Sequence, residues 1–574
     1  MQLSKAFLHS EYPISFLGTG AIGGKAKGLE FIHSALVSRL DTGLFPEFAV
    51  DIPKMVVIRT DIFDDFMQSN ALWPLALSDE PDEKIALEFQ KADLPFQILG
   101  DLRMIVTEIK LPLAVRSSSL LEDAVHEPFA GIYRTKMTPN NQLDVDVRFR
   151  KLVEAVKFVY ASTFFKAAKG YMQATRHRTE DEKMAVIIQE VAGHRYGERF
   201  YPEISGVLRS YNFYPAPGAD PEDGVVNLAL GLGKMIVDGG VSWAYSPAFP
   251  DSPPPFRSMH DMLEQTQLKF WAVNLGPPPE YDPIRETEYL SAYHFTEAQK
   301  DGTLLHLVSS YDPQSGRLWP GQQEGYPLIL TFAPILSRPG LPLNGLLKNL
   351  MHICENAANA PVEVEFAVAL SGNTEEAPHR FAFLQVRPLA VSSGKMNISE
   401  GELRGAQVAI ASGRVMGNGQ VDNITDIVFV KSQKAEPRQA YQIAGELEKI
   451  NRALVAAQRP YLLIGYGRWG TTDPWAGIPV DWGQISGARV IVEAAGEHQR
   501  QDMSQGSHFF HNVTSFRVFY FSIPYPPRYA FDMDWIAQLD TVEETPLVKH
   551  VVSGAPLLIK ADGRTGRGLI LKSV

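Results

Sequence analysis

The 574-residue sequence has a single cysteine, Cys354. One thiol excludes a disulfide framework within the chain and leaves no basis for a cysteine-built zinc site. Positive charge is in deficit: 54 Lys plus Arg stand against 66 Asp plus Glu, a net of −12. That balance argues against a general nucleic-acid binder, which needs a basic field, but it leaves room for a local cationic site. There is no run of about 18 apolar residues, so no membrane span is expected. The opening MQLSKAFLHSEYPISF lacks the basic-then-apolar order of an export signal. The expectation is therefore a cytoplasmic protein. Internal repeats and low-complexity tracts are absent too.

What is present is ordinary globular material, 45% hydrophobic and 21% charged. Its length predicts about two to four domains. Strand-like and helix-like segments alternate from the start, which predicts an α/β (α+β) fold. A Gly-rich loop, GTGAIGGKAKG (18–28), runs into a helix with Leu29, Ile32, Leu36 and Leu40 at helical spacing. KMVVIRT is read as a strand and TDIFDDFMQSN as a helix capped by Thr60. VRFRKLVEAVKFVYASTFFKAAKGYM reads as one long helix. A Pro-interrupted stretch, 250–330, reads as an insertion. PVEVEFAVAL (361–370) and RFAFLQVRPLAV (380–391), joined by a polar turn, predict an antiparallel hairpin. The best linker is SSGKMNISEGEL (392–403), dividing the chain into 1–395 and a smaller, β-rich 396–574.

Four places carry residues suited to chemistry. In the Gly-rich loop, backbone N–H groups and Lys25 offer either a phosphate cradle or a structural turn. No Ser or Thr follows the lysine, so it is not a Walker loop. In LPLAVRSSSLLEDAVHEPFAG an apolar strand ends on Arg116, whose guanidinium can grip phosphate oxygens. Ser117, Ser118 and Ser119 add donors, and Glu122 and Asp123 are placed to hold the arginine; the alternative is a surface turn. In the hairpin, Glu363 and Glu365 share one strand face, and Gln385 and Arg387 share one face of the next. That is either an oxygen-rich site for Mg²⁺ or a cross-strand salt-bridge ladder. AVIIQEVA ends on Gln189 and Glu190, either at a pocket edge or as a buried strand with a polar end.

GGKAKGLEFI, LAVRSSSLLEDAVHEPFAGIYRT, AVIIQEVA, ISGVL…NLALGLGKMIVDGGVS, VEVEFAV and FLQVRPL occur in that order. Together they resemble the N-terminal nucleotide-binding region of the pyruvate,water dikinase (phosphoenolpyruvate synthase) and pyruvate,phosphate dikinase family. The resemblance implies an ATP-grasp fold over 1–395, with ATP between two lobes. It implies Lys25, Arg116 and Arg387 on the phosphates and a loop around Phe129–Gly131 closing over them. Gln189, Glu190 and Val191 would lie along the adenine. Glu365 and Gln385 would hold Mg²⁺, with Glu363 supporting. One position departs: the family's Gly-Leu-Gly-Glu is Gly231-Leu232-Gly233-Lys234 here.

In that family a phosphate passes from ATP to a histidine on a mobile domain and then to pyruvate in a C-terminal barrel. The residues after 395 are too few for the barrel, and Cys354 lies in a different place from the barrel cysteine. Residues 404–432 resemble the start of the mobile domain. The nearest thing to its histidine signature is SQGSHFFHNVTSF, with Gly506 and Ser507 before His508, and His511 beyond. His508 is either a phosphate acceptor or, with His511, the cap of an aromatic strand packed on Phe509, Phe510 and Phe516. The Trp-rich loop, with Arg468, Asp473 and Asp481, reads as packing. The expected function is an ATP-dependent phosphotransferase of the dikinase type, EC 2.7.9.-, transferring to a histidine, a small acceptor or a partner protein. The partner would supply the acceptor or the barrel. The alternative is a non-catalytic ATP-binding module or a subunit of a larger complex.

Overall fold

The computed structural model describes residues 3–122, 131–175, 177–215, 218–252, 259, 262–263, 266–337, 341–371, 377–391, 396–431, 437–471, 473–496 and 507–572. Asp123, Phe129, Ala130, Gly506 and linker residues 392–395 lie outside them. The architecture is mixed α/β, with several mixed sheets.

A five-stranded sheet has the order Ile14–Leu17, Met55–Ile58, Met184–Glu190, Leu113–Ser119 and Thr135–Thr138. Its first pair is parallel and the others antiparallel. Helices Thr60–Ser69, Asp82–Lys91, Phe96–Glu108 and Val145–Ser162 bury Phe66, Phe89, Leu102 and Val159 in one apolar cluster with its Val56 and Val115. The helix expected to run on through Met172 breaks in two, resuming at Lys166–Ala174. Phe164, between the halves, is fully buried among Phe63, Trp73 and Phe89.

A six-stranded sheet has the order Trp243–Tyr245, Val225–Ala229, Ile204–Arg209, Val362–Ala369, His379–Pro388 and Phe48–Asp51. It contains the expected hairpin, in a register that sets Glu363 opposite Arg387 and Glu365 opposite Gln385. The ladder slips by one residue just after Glu365, a bulge of the kind that re-aims side chains. Helices Gly23–Arg39 and Leu343–Ala358 pack here through Leu29, Ile32, Leu346 and Leu350. Within 250–330, Lys269–Asn274 and Leu290–His294 extend a small sheet begun by His194–Tyr196 and Arg199–Tyr201. Three more strands from this stretch form a sheet of their own.

Beyond residue 396 lies a nine-stranded sheet. Four neighbouring strands in it run parallel: Asn418–Val430, Tyr461–Tyr466, Ala488–Ala494 and Phe519–Ile523. Parallel neighbours need crossovers, and helices Pro437–Ala456 and His508–Ser515 lie in two of them. SHFFH is thus the start of a helix, correcting the aromatic strand read from the sequence. Ser507 caps it, its Oγ accepting from the Phe510 N–H at 3.2 Å. Phe510 and Val513, one turn apart, are buried in the same cluster as the five-stranded sheet. Phe510 meets Phe213 edge-on, and Phe516 stacks on Trp482. Trp469 and Trp482 are buried in agreement with the packing reading, whereas Trp475 is 78% exposed.

Candidate active site

A cleft of about 250 Å³ lies between the five- and six-stranded sheets. Its apolar end is formed by Ala114, Met137, Val191, Leu232 and Leu290. Its polar end gathers Lys25, Arg116, Gln189, Glu365, Gln385 and His508. Gly131 and Glu190 also line it.

Arg116 projects from the strand Leu113–Ser119 and ties the two sheets together. Its Nη1 donates to the Leu384 carbonyl at 2.7 Å and to Gln189 Oε1 at 3.3 Å. Its Nη2 donates to Gln385 Oε1 at 3.0 Å and lies 3.6 Å from Glu365 Oε2. The described carboxylate beside Arg116 is therefore Glu365 and not Glu122, while Asp123 lies outside the described residues. Gln189 is buried, and its Nε2 donor has no partner among the described residues. An orphaned buried donor beside a cationic cleft fits a ligand acceptor atom. Burial raises the Glu190 carboxyl above its usual range, against the opposing charges of Arg380 and Lys54.

Glu122 serves the lysine. Lys25 Nζ donates to Glu122 Oε1 at 2.7 Å and to Ser117 Oγ at 3.2 Å. The three serines are fully buried. Ser117 donates to Glu122, Ser118 donates to the Ile22 carbonyl and accepts from Ala26 N–H, and Ser119 accepts from Glu122 N–H. Their hydroxyls bind the strand end to the Gly-rich loop and give nothing to the cleft, which corrects the expectation of three ligand donors. The Gly-rich loop likewise holds an anion of the chain's own. Thr19 N–H and Gly20 N–H donate to the Asp61 carboxylate at 2.8 and 2.9 Å. Thr60, expected as a cap, is the first helical residue and accepts from Ala21 N–H instead. Gly23 is needed for contact: at φ +75°, a Cβ there would lie 1.7 Å from the Ser118 carbonyl oxygen.

Glu363 and Arg387 sit apart from the cleft lining. Glu363 faces Arg209 on one neighbouring strand and Arg387 on the other. Each arginine gives its guanidinium to one Glu363 oxygen, with Arg387 Nε donating at 2.7 Å. Burial alone would raise the Glu363 carboxyl, but the two arginines hold it well below the usual carboxylate range. Glu363 is thus fully engaged in a buried cross-strand ladder, while Glu365, two residues on, reaches the cleft. The ladder reading describes Glu363, and Glu365 is the carboxylate left facing the cleft.

His508 was the least expected arrival, coming from the far end of the chain to the polar end of the cleft. It is half-buried, and it packs on Gly131. Burial, then the charges of Arg387, Lys25 and Lys234, push its imidazole well below its ordinary pKa. That favours the neutral form at physiological pH, and a neutral imidazole carries a lone pair on one ring nitrogen. His511, one turn on, is buried against Arg387, Glu363 and Arg209. The sequence singled out His508 by the Gly506-Ser507 before it, but spacing alone could not place it in the cleft.

Residues 19–404 match the family described as pyruvate phosphate dikinase, AMP/ATP-binding domain. The chain belongs to this family. Phosphoenolpyruvate synthase of Aeropyrum pernix is 25% identical over 322 residues, covering 53% of this chain and 33% of that protein. The chain therefore matches about a third of the length of that relative. The family is described as AMP/ATP-binding, which supports an adenine nucleotide as a ligand of this chain. The family match ends at Arg404, so His508 lies beyond it and stands on geometry.

Among the described residues, no helix is long and apolar enough to cross a membrane. Nor do three His, Cys, Asp or Glu side chains group there as a metal site. A Mg²⁺ that arrives with nucleotide needs only one or two protein oxygens, the phosphates and water supplying the rest. The Glu365 carboxylate and the Gln385 amide oxygen fit that requirement; Glu363, closed off by two arginines, does not.

Proposed function

We propose that the chain is an ATP-dependent phosphotransferase of the dikinase type that phosphorylates its own His508. In this reading the five- and six-stranded sheets are the lobes of an ATP-grasp fold. Adenine lies in the apolar end of the cleft, along Gln189, Glu190 and Val191. Lys25 and Arg116 bind the phosphates, and Arg387 adds its charge from behind. Glu365 and Gln385 would hold Mg²⁺, which neutralises phosphate oxygens as charge develops.

The observation that carries the proposal is the neutral imidazole of His508 in the same cleft as Lys25, Arg116 and Glu365. The ring nitrogen's lone pair forms a bond to phosphorus. The phosphorus attacked is the β: its P–O bond to AMP breaks, the electron pair stays on the AMP oxygen, and the ring N–H proton goes to solvent. Water then cleaves the outer phosphate from the pyrophosphorylated ring as inorganic phosphate. Nearby cations favour the neutral ring, so the nucleophile needs no base to prepare it. The phosphoryl group then passes to a small acceptor such as pyruvate, or to a partner protein that supplies the acceptor site.

The test is incubation with ATP labelled at the β or γ phosphate, with Mg²⁺, with and without pyruvate. AMP, phosphate and an acid-labile phosphoprotein are expected, and His508→Ala should lose the label. Absence of both product and label from the wild-type chain, with ATP still bound, would sink the enzyme reading and leave a nucleotide-binding module.

A further inference from the structure

Lys234 stands where the family pattern has a carboxylate, and so far only its charge near His508 has entered. It lies on the cleft wall with its side chain 18% exposed. Its Nζ is 2.7 Å from Asp238 Oδ2, one turn along, and 4.0 Å from Glu286 Oε1. Arg134 Nη1 approaches the other Glu286 oxygen at 3.6 Å. Two cations and two carboxylates thus balance on this wall.

Its segment leads directly to the acceptor helix. The Gly239 carbonyl accepts from Arg468 Nη1 at 2.7 Å, and a Cβ on Gly239 would lie 3.8 Å from the Cβ of Ser507, the cap of the His508 helix. Lys234 and His508 therefore border the same end of the cleft. Two other cations near this end are tightly committed. Lys25 is clasped by Glu122 and Ser117, and Arg387 is locked on Glu363. An ammonium on a four-carbon stem has three donors and freedom to turn. With Asp238 taking one, Lys234 keeps donors that can turn toward an incoming anion. A carboxylate in its place would repel one.

Resting on the phosphotransfer reading of this cleft, we propose that Lys234 binds the terminal phosphates of a nucleoside polyphosphate beside His508. Asp238 and Glu286 hold its ammonium in place until the phosphates arrive. The residue then discriminates ATP from AMP and steadies the group that His508 receives.

The experiment compares Kd for AMP and for Mg-ATP, and the rate of His508 labelling, in wild type, Lys234→Ala, Lys234→Glu and Lys234→Arg. A lost charge-assisted contact should weaken ATP about tenfold in Lys234→Ala, and more in Lys234→Glu, with AMP affinity within about twofold of wild type. Labelling at saturating ATP should slow at least about tenfold in both. Lys234→Arg should keep the preference for ATP, and retained AMP binding shows that each variant is folded. Equal losses for AMP and ATP would place Lys234 at the nucleoside and overturn the proposal, as would unchanged ATP affinity. If the wild type binds ATP but never labels His508, the phosphotransfer reading falls, and the ratio of ATP to AMP affinity still decides Lys234.

Discussion

Gly131 and His508 touch so closely that a Cβ on Gly131 would lie 2.5 Å from the imidazole Nδ1. Real Cβ atoms do not approach that near. The glycine also holds φ +68°, where a side chain is strained by about 1 kcal/mol or more. Gly131→Ala should therefore push His508 out of line more than it disturbs the nucleotide. Phosphoprotein formation is expected to fall at least about tenfold, since small misplacements at a reacting atom cost that much. Mass-spectrometric quantification of phosphorylated His508 at saturating ATP checks it. A wild-type rate would mean the contact has no part in the reaction.

The depressed pKa of His508 fixes the pH dependence. A free histidine gains its proton as pH falls through about 6.5 and stops being a nucleophile. Burial and three cations hold His508 neutral well below that point. Single-turnover labelling should stay level from pH about 8 to about 6. A rate that halves near 6.5 would contradict the environment described.

Glu363 and Glu365 should part ways on substitution. Glu363→Gln leaves Arg209 and Arg387 buried together without a counter-charge, and should destabilise the chain by about 3–5 kcal/mol. Glu365→Gln should leave stability nearly unchanged and weaken the Mg²⁺ dependence of ATP binding. Denaturant titration and a Mg²⁺ series separate them. The reverse assignment would restore Glu363 as the metal residue.

Glu182 supplies a prediction about stability alone. It is almost fully buried, and desolvation pushes its carboxyl up to about 7, against a usual 4.5. The folded chain thus holds this proton more tightly than the unfolded chain. The stability this confers is complete below pH about 4.5 and is lost as pH rises through about 7. Glu182→Gln should be more stable than wild type above pH 7, by up to about 3 kcal/mol, and the advantage should vanish toward pH 4.5. The amide still accepts from Leu120 N–H, and the Tyr133 hydroxyl can reverse its bond. Equal pH slopes in urea unfolding of the two proteins would refute it.

Much of the cleft was legible because strand periodicity is local. Alternation alone set Glu363 with Glu365 and Gln385 with Arg387, and the hairpin signal paired the strands. What alternation cannot say is what a third strand brings. Arg209, more than 150 residues before Glu363, captures that carboxylate and leaves its neighbour free. The serine run misled for the same reason. Hydroxyls look like ligand donors until Ile22, Ala26 and Glu122 fold onto them. The Gly-rich loop has the backbone of an anion site, and only tertiary structure reveals that Asp61 fills it. His508 reached the cleft through packing of Phe510 and Phe516, which no spacing rule encodes. Lys234 was visible as a departure, but its pairing with Asp238 and Glu286 was not.

Phe510 belongs to one apolar cluster that also holds Val56 and Leu102 near the start of the chain and Val428 and Ile491 near its end. The five-stranded sheet and the C-terminal sheet thus share one core, so heat should not melt them separately. Calorimetry should therefore record a single endotherm rather than two. A fragment ending near residue 395 would present to water the face that Phe510, Trp482 and Phe516 now cover, and it should precipitate unless that face is covered again.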